Sequence, residues 1–264
     1  MDSVSFDSIA LVYDETRVFN KACFNAVLDY IVERYPPLKY KKLFEPGIGT
    51  GRIAIPLAKK GYNVTGVDIS QEMLKKLAVK LSNRHPPLPV TFQQADVTAL
   101  PFPDATFDIA VAVHVFHLIR HWKKAISEVF RILKPDAPLV LFFTGNGDEV
   151  PAIKDRYREI CAASGHSASH IGLSTDNIEL GDFLAAFGRR IESIGNKWKW
   201  TQRIRVDESL QHIRLHYYSF TNLVPEHIHL EVVGKLELEL KKQYGNLATE
   251  VEVPNQITLM LVTV

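Results

Sequence analysis

Cysteine is scarce in this chain: Cys23 and Cys161 are the two among 264 residues, and they form no CxxC pair. That excludes a disulfide framework and a cysteine-built zinc site, and it fits a reducing compartment, the cytoplasm. An excess of one charge is missing too. Lys and Arg number 31 against 30 for Asp and Glu, a net of +1, without the basic surplus of a dedicated nucleic-acid binder. Long apolar runs are absent: the most apolar stretch, residues 109–119, holds two histidines and is 11 residues long, short of the ~20 that cross a membrane. The first ten residues carry acidic and polar side chains where a signal peptide needs positive charge and then an apolar run. No repeat or low-complexity tract appears, and 46% of residues are hydrophobic, so disorder is excluded as well. These absences point to a soluble globular chain, long enough to bury about three quarters of its unfolded surface in one core.

The order of elements then outlines the fold. Phe24, Val27, Leu28 and Ile31 recur at helical spacing across residues 19–35, until Pro36 and Pro37 stop them. A strand at 42–45 leads into a glycine loop and a helix at 52–60. A strand at 62–67 follows, and then Asp68. Ser70 suits the N-cap of a helix carrying Met73, Leu74, Leu77 and Leu81. Residues 90–95 alternate as a strand does and lead to Asp96. The segments 107–113 and 139–144 are apolar throughout, as strands buried on both faces are, with a helix at 121–133 between them. Five strands alternating with helices predict a parallel, doubly wound, Rossmann-like α/β sheet. Beyond Gly145, helices are expected at 151–163 and 177–187, a strand at 190–205, helices at 207–220 and 225–244, and β-structure at 250–264.

The chemistry centres on residues 45–52, Glu-Pro-Gly-Ile-Gly-Thr-Gly-Arg, at a strand-to-helix junction. Gly47, Gly49 and Gly51 permit positive φ and leave no Cβ between the backbone and a ligand, and the helix start that follows offers free N–H groups. A tight turn needs only one glycine. Two ligand classes use such a loop. Gly49, Gly51 and Ala54 satisfy a dinucleotide pattern, with Asp68 placed 19 residues after Gly49 for a ribose hydroxyl. The other class is decided by the neighbouring motifs.

Residues 43–57 resemble the first motif of class I S-adenosylmethionine-dependent methyltransferases, an acidic residue followed by alternating glycines. Asp68 matches the acid that this family sets on both ribose hydroxyls, and Asp96-Val97 matches the pair that reads adenine. Phe107-Asp108, His117-Leu118 and residues 125–135, with Glu128, Arg131 and a Leu-Lys-Pro ending, resemble the type-11 subgroup. There the chain departs from the pattern, with Asp136-Ala137 where two glycines usually stand. Phe6-Asp7, Ala10, Tyr13-Asp14 and Arg17 resemble the lead-in whose Tyr and Arg lie over the methionine end. The resemblance implies S-adenosylmethionine as cofactor, bound by Tyr13, Arg17, Glu45, Gly47, Gly49, Gly51, Asp68, Ile69, Met73, Asp96, Val97 and His114. It implies a seven-stranded sheet with an antiparallel last strand in one domain over residues 1–264. The cofactor-binding core is expected at 36–146, with a helical cap from 1–35 and 207–245 over the substrate site.

On the acceptor side, His117 lies just past the fourth strand, where an imidazole can take a proton near neutral pH; a core histidine is the alternative. Arg214, Tyr217 and Tyr218 are expected to face a small-molecule methyl acceptor, or else to pack the cap onto its base. No metal is expected, because His114/His117 and His227/His229 lack a third ligand. The pair at 227 and 229 reads as a solvated helix start, and Trp198-Lys-Trp200 with Arg203 and Arg205 as an exposed strand face rather than a single-strand binder. A nicotinamide-dependent oxidoreductase and a non-catalytic S-adenosylmethionine-binding protein remain the alternatives to an enzyme that methylates a small molecule.

Overall fold

The two apolar runs become β4 (Ile109–Val113) and β5 (Leu139–Thr144), paired in parallel at the middle of a seven-stranded sheet. The computed structural model describes residues 3–17, 19–145, 149–173 and 178–264. The remaining strands are β1 (Lys42–Pro46), β2 (Asn63–Asp68), β3 (Val90–Gln94), β6 (Arg190–Arg205) and β7 (Glu250–Thr263), in the order β3-β2-β1-β4-β5-β7-β6. Strands β1 to β5 run parallel, and β7 is antiparallel to both β5 and β6. The order reverses between β1 and β4, so the loops after these two strands part and leave a crevice at the carboxyl edge.

Strand alternation sends successive residues to opposite faces. Leu43 and Ile109 enter a core shared with α1 (Lys21–Arg34), α2 (Ala54–Lys59) and α3 (Gln71–Ser82). Phe44 and Ala110 enter the core beneath α4 (Trp122–Ile132) and α6 (Ile178–Ala186). Helix α3 starts as expected, with Ser70 Oγ accepting from the Met73 N–H at 3.1 Å. A third core joins α5 (Pro151–Ala163), α7 (Val206–Arg214) and α8 (Glu226–Tyr244) over Ile204 and Val253, with Tyr157, Ile213, Val232 and Leu236 inside it. No helix of the described residues is long and apolar enough to cross a membrane.

Several expectations need correction. The cap is composed differently: Val27, Leu28 and Ile31 of α1 pack into the sheet core, whereas α5 joins α7 and α8. Of the expected cap and α6, Met1, Asp2, Val18 and Asn177 lie outside the described residues. The helix expected over 207–220 stops at Arg214, and His216 takes φ 55°. Leaving the helix lets Tyr218 and Phe220 stack on each other at 5.5 Å, with Phe220 edge-on to Tyr157 at 5.8 Å. His229 is not solvated; its Nδ1 accepts from the Tyr157 hydroxyl at 2.7 Å and its Nε2 donates to the Arg214 carbonyl at 3.3 Å. Trp198 is likewise buried, edge-on to Tyr30 at 5.4 Å.

Candidate functional site

Past β1 the chain turns through Gly47 (φ 68°), Gly49 (φ 53°) and Gly51 (φ 78°), and the Ile48 N–H pins the turn to Val67 O of β2 at 2.9 Å. The three glycines serve different needs. A Cβ on Gly47 would sit 2.7 Å from Val115 Cγ2, and one on Gly51 would sit 2.4 Å from Leu77 Cδ1. Those two are demanded by packing, and Gly51 turns away from the crevice. A Cβ on Gly49 would meet nothing nearer than 3.9 Å, so there the backbone is open to a ligand. The Gly49 N–H donates to Asp68 Oδ2 and the Ser70 N–H to Asp68 Oδ1, each at 2.8 Å. Burial nonetheless pushes the Asp68 carboxyl above its usual range, against those two bonds.

Gly47, Gly49, Asp68, Ile69, Met73, Asp96, Val97 and His114 share one cleft, and Ser3, Val4, Phe6 and Tyr13 close it from above. Glu45 lies behind this wall rather than on it. Its side chain is buried, with the residue 2% exposed, and its Oε2 has no hydrogen-bond partner among the described residues. Burial, and then the neighbouring Asp68 charge, push its carboxyl well above the usual range. The roof is tied down at several points. The Val4 N–H donates to Leu118 O at 3.0 Å, and Ser70 Oγ donates to Asp7 at 2.5 Å. Asp14 accepts from Thr50 Oγ1 at 2.6 Å and pairs with Lys80 at 2.7 Å. The Ser70 hydroxyl holds the Asp7 carboxyl below its usual range; Asp14, despite burial, is held low by Lys80 and Thr50. The space under this roof is about 70 Å³.

A larger cavity of about 530 Å³ adjoins the cleft, sharing Phe6, Tyr13, His114 and Val115 with it. Three imidazoles stand on its wall. His114, at φ 47°, accepts the Thr144 N–H on Nε2 at 3.1 Å, which occupies its lone pair. His117 makes no side-chain hydrogen bond among the described residues; its ring meets His170 edge-on at 4.7 Å and His114 at 6.1 Å. Burial lowers all three: His114 and His170 are pushed down to about 4, and His117 well below its usual value. At neutral pH they are therefore uncharged. Arg17 lines this cavity rather than the cleft, donating to Tyr217 O with its guanidinium 5.2 Å from the Tyr218 ring centroid.

Of the three residues expected to face the acceptor, only Tyr218 lines the cavity. Tyr217 takes part through its backbone carbonyl, and Arg214 turns to α8, pairing with Glu237 at 2.6 Å. Conversely, Arg52, Lys154, Arg158, His170 and Trp200 line the cavity without having been singled out as site residues. Lys154 and Arg158 fall four apart on α5, a spacing that carries a signal in the sequence. Among the described residues, no group of three or more His, Cys, Asp or Glu could hold a metal ion.

Residues 44–141 match the family model described as a methyltransferase domain. Among curated proteins, the demethylmenaquinone methyltransferase of Thermus thermophilus is 34% identical over 116 residues, 43% of this chain and 50% of that protein. The phosphatidylethanolamine N-methyltransferase of Cereibacter sphaeroides is 31% identical over 100 residues, 38% of this chain and 49% of that protein. The chain thus spans about half the length of the curated relatives it matches. Among solved structures, the YcgJ protein of Bacillus subtilis superposes with TM-score 0.61 at 20% identity, covering 90% of this chain and 98% of that one. The phosphoethanolamine N-methyltransferase 2 of Haemonchus contortus, solved with phosphomonomethylethanolamine and S-adenosylhomocysteine, gives TM-score 0.57 at 18% identity, covering 98% of this chain and 57% of that one. These likenesses show the fold.

Proposed function

We propose that this protein transfers the methyl group of S-adenosylmethionine to a small-molecule acceptor in the larger cavity. The carrying observation is the convergence of Gly49, Asp68, Asp96 and His114 on a cleft that adjoins a second, roofed cavity. The residues fit the cofactor: Gly49 leaves its backbone open to close approach, and the orphaned Glu45 Oε2 suits a cationic amino group. When bound, S-adenosylmethionine supplies an electrophilic methyl on a sulfonium, and displacement there demands alignment and exclusion of water above all. Asp68, oriented by two backbone N–H groups, accepts from ribose hydroxyls. Asp96 and Val97 frame the base, and Ile69 and Met73 pack against the nucleoside. Residues 3–17, clamped by Asp7 and Asp14, exclude water. His117, neutral and without a hydrogen-bond partner among the described residues, faces the acceptor and can take a hydrogen bond from it. We place the protein in the cytoplasm on the strength of its two free cysteines, to be checked by fractionation.

Calorimetry against S-adenosylmethionine, S-adenosylhomocysteine and NAD tests the cofactor; a methyl-transfer screen over a metabolite library with product mass as readout tests the activity. Binding of NAD in preference to S-adenosylhomocysteine would overturn the reading.

A further inference from the structure

The larger cavity carries more positive charge than an uncharged acceptor calls for. Helix α5 presents Lys154 and Arg158 to it, four residues apart and so on one face. Like charges at that spacing repel, which weakens the helix unless an anion answers them. Glu149 answers Lys154, at 2.8 Å. Arg158 is answered only weakly. Its guanidinium lies 5.1 Å from the Phe220 ring centroid, and Nε donates to Ala168 O at 3.1 Å. Asp155, its one ionic neighbour among the described residues, stands 3.9 Å away, beyond hydrogen-bond reach. The two terminal nitrogens make no hydrogen bond among the described residues. Arg52, on the same cavity, lies 4.3 Å from the Phe19 ring centroid, donates to Arg17 O, and makes no ion pair among the described residues. The imidazoles on the wall bring no negative charge, and a sulfonium donor at the mouth would add a further positive one.

We propose that the acceptor is an organic anion, an apolar molecule bearing a carboxylate or phosphate group, which Arg158 receives with Lys154 beside it while Phe220 and Trp200 cover the apolar body. A planar guanidinium forms two parallel bonds to either group, and the contacts of Arg158 with Phe220 and Ala168 O restrain it in advance. This inference rests on the methyl-transfer reading of the same site.

The test is a fluorescence titration with 8-anilinonaphthalene-1-sulfonate and its uncharged relative N-phenyl-1-naphthylamine, with and without S-adenosylhomocysteine. It is followed by displacement of the first probe with octanoate, octyl phosphate and octanol. The anionic probe should bind at least about tenfold more tightly than the neutral one. One of the two anionic competitors should displace it far better than octanol, and whichever is stronger identifies the group. Arg158→Met should abolish the preference, and Arg158→Lys, which keeps the charge but not the plane, should retain part of it. S-adenosylhomocysteine affinity should stay within about twofold in both variants. Equal affinity for the two probes, no binding of the anionic one, or a preference that survives in the variants would each overturn the proposal. Failure of S-adenosylhomocysteine to bind, with the anion preference intact, would instead overturn the methyl-transfer reading.

Discussion

Glu45→Gln should move stability and ligand affinity in opposite directions. Glu45 is 2% exposed, and its Oε2 has no partner among the described residues. A buried polar group left unsatisfied costs about 1–3 kcal/mol, more when charged. Burial, reinforced by the Asp68 charge, raises the carboxyl well above its usual pKa. A group whose folded pKa is raised contributes stability below its unfolded pKa and loses it as pH rises through the folded value. At neutral pH and above, the ligand-free protein therefore bears this loss, and a glutamine does not. We expect Glu45→Gln to stabilise the ligand-free chain by about 1–2 kcal/mol at pH 7.5, or ~2–8 °C in melting temperature for a chain of this size. The gain should shrink toward pH 5. In the complex we propose, Glu45 reaches the cofactor's amino group from behind the cleft wall, and the same change removes that anion. A charged hydrogen bond is worth about 1.5–3 kcal/mol, so S-adenosylhomocysteine should bind ~10- to 100-fold more weakly. Thermal melts across pH and calorimetry on both proteins read the two effects. A glutamine variant that is less stable, or that binds the ligand as the parent does, would refute the reasoning.

Asp68→Asn keeps the shape of the side chain but sets an amide nitrogen against the N–H of either Gly49 or Ser70; calorimetry should show S-adenosylhomocysteine binding weakened at least ~10-fold. His114 and His170 hold pKa values of about 4 through burial, against 6.5 in the unfolded chain. Their contribution is whole above pH 6.5 and is lost as pH falls toward 4, about 3 kcal/mol for His114 alone; denaturant midpoints should drop between pH 7 and 5, and a flat profile would contradict it. Because residues 3–17 roof the proposed cofactor cleft, amide exchange there should slow when S-adenosylhomocysteine binds, and unchanged exchange would count against a lid.

What the sequence revealed follows from how each half of the site is assembled. The half proposed for the cofactor comes from consecutive strand ends: the turn after β1, Asp68 ending β2, Asp96 after β3 and His114 after β4. In a doubly wound sheet those ends are neighbours by construction, so a reading of strands in chain order also places their terminal residues in space. Hydrophobic period told buried faces of single elements from exposed ones, yet not which distant segment covers them. That is why Gly51 looked like a ligand glycine when it makes room for Leu77, and why His229 looked solvated when Tyr157 comes over it from α5. Arg214 was misplaced for the same reason, since its partner Glu237 belongs to α8.

The acceptor half has no such order. Arg17, Arg52, His117, Arg158, His170, Trp200 and Tyr218 come from separate stretches of chain, some at the sheet and some on the helices over it. Each has a bland local reading: a surface cation, a loop histidine, a strand tryptophan. Only their convergence gives them chemical meaning, and convergence is a tertiary fact. The proton argument belongs to this level too. A histidine after the fourth strand suggests a base, but the cavity that presents His117 to an acceptor is also what lowers its basicity, through burial first and the neighbouring imidazoles second. A group so placed does little for an acceptor that must first lose a proton, and an acceptor already anionic makes little demand on it. The low basicity of the histidine wall and the weakly answered Arg158 on α5 thus favour the same kind of acceptor, one that arrives with its negative charge in place.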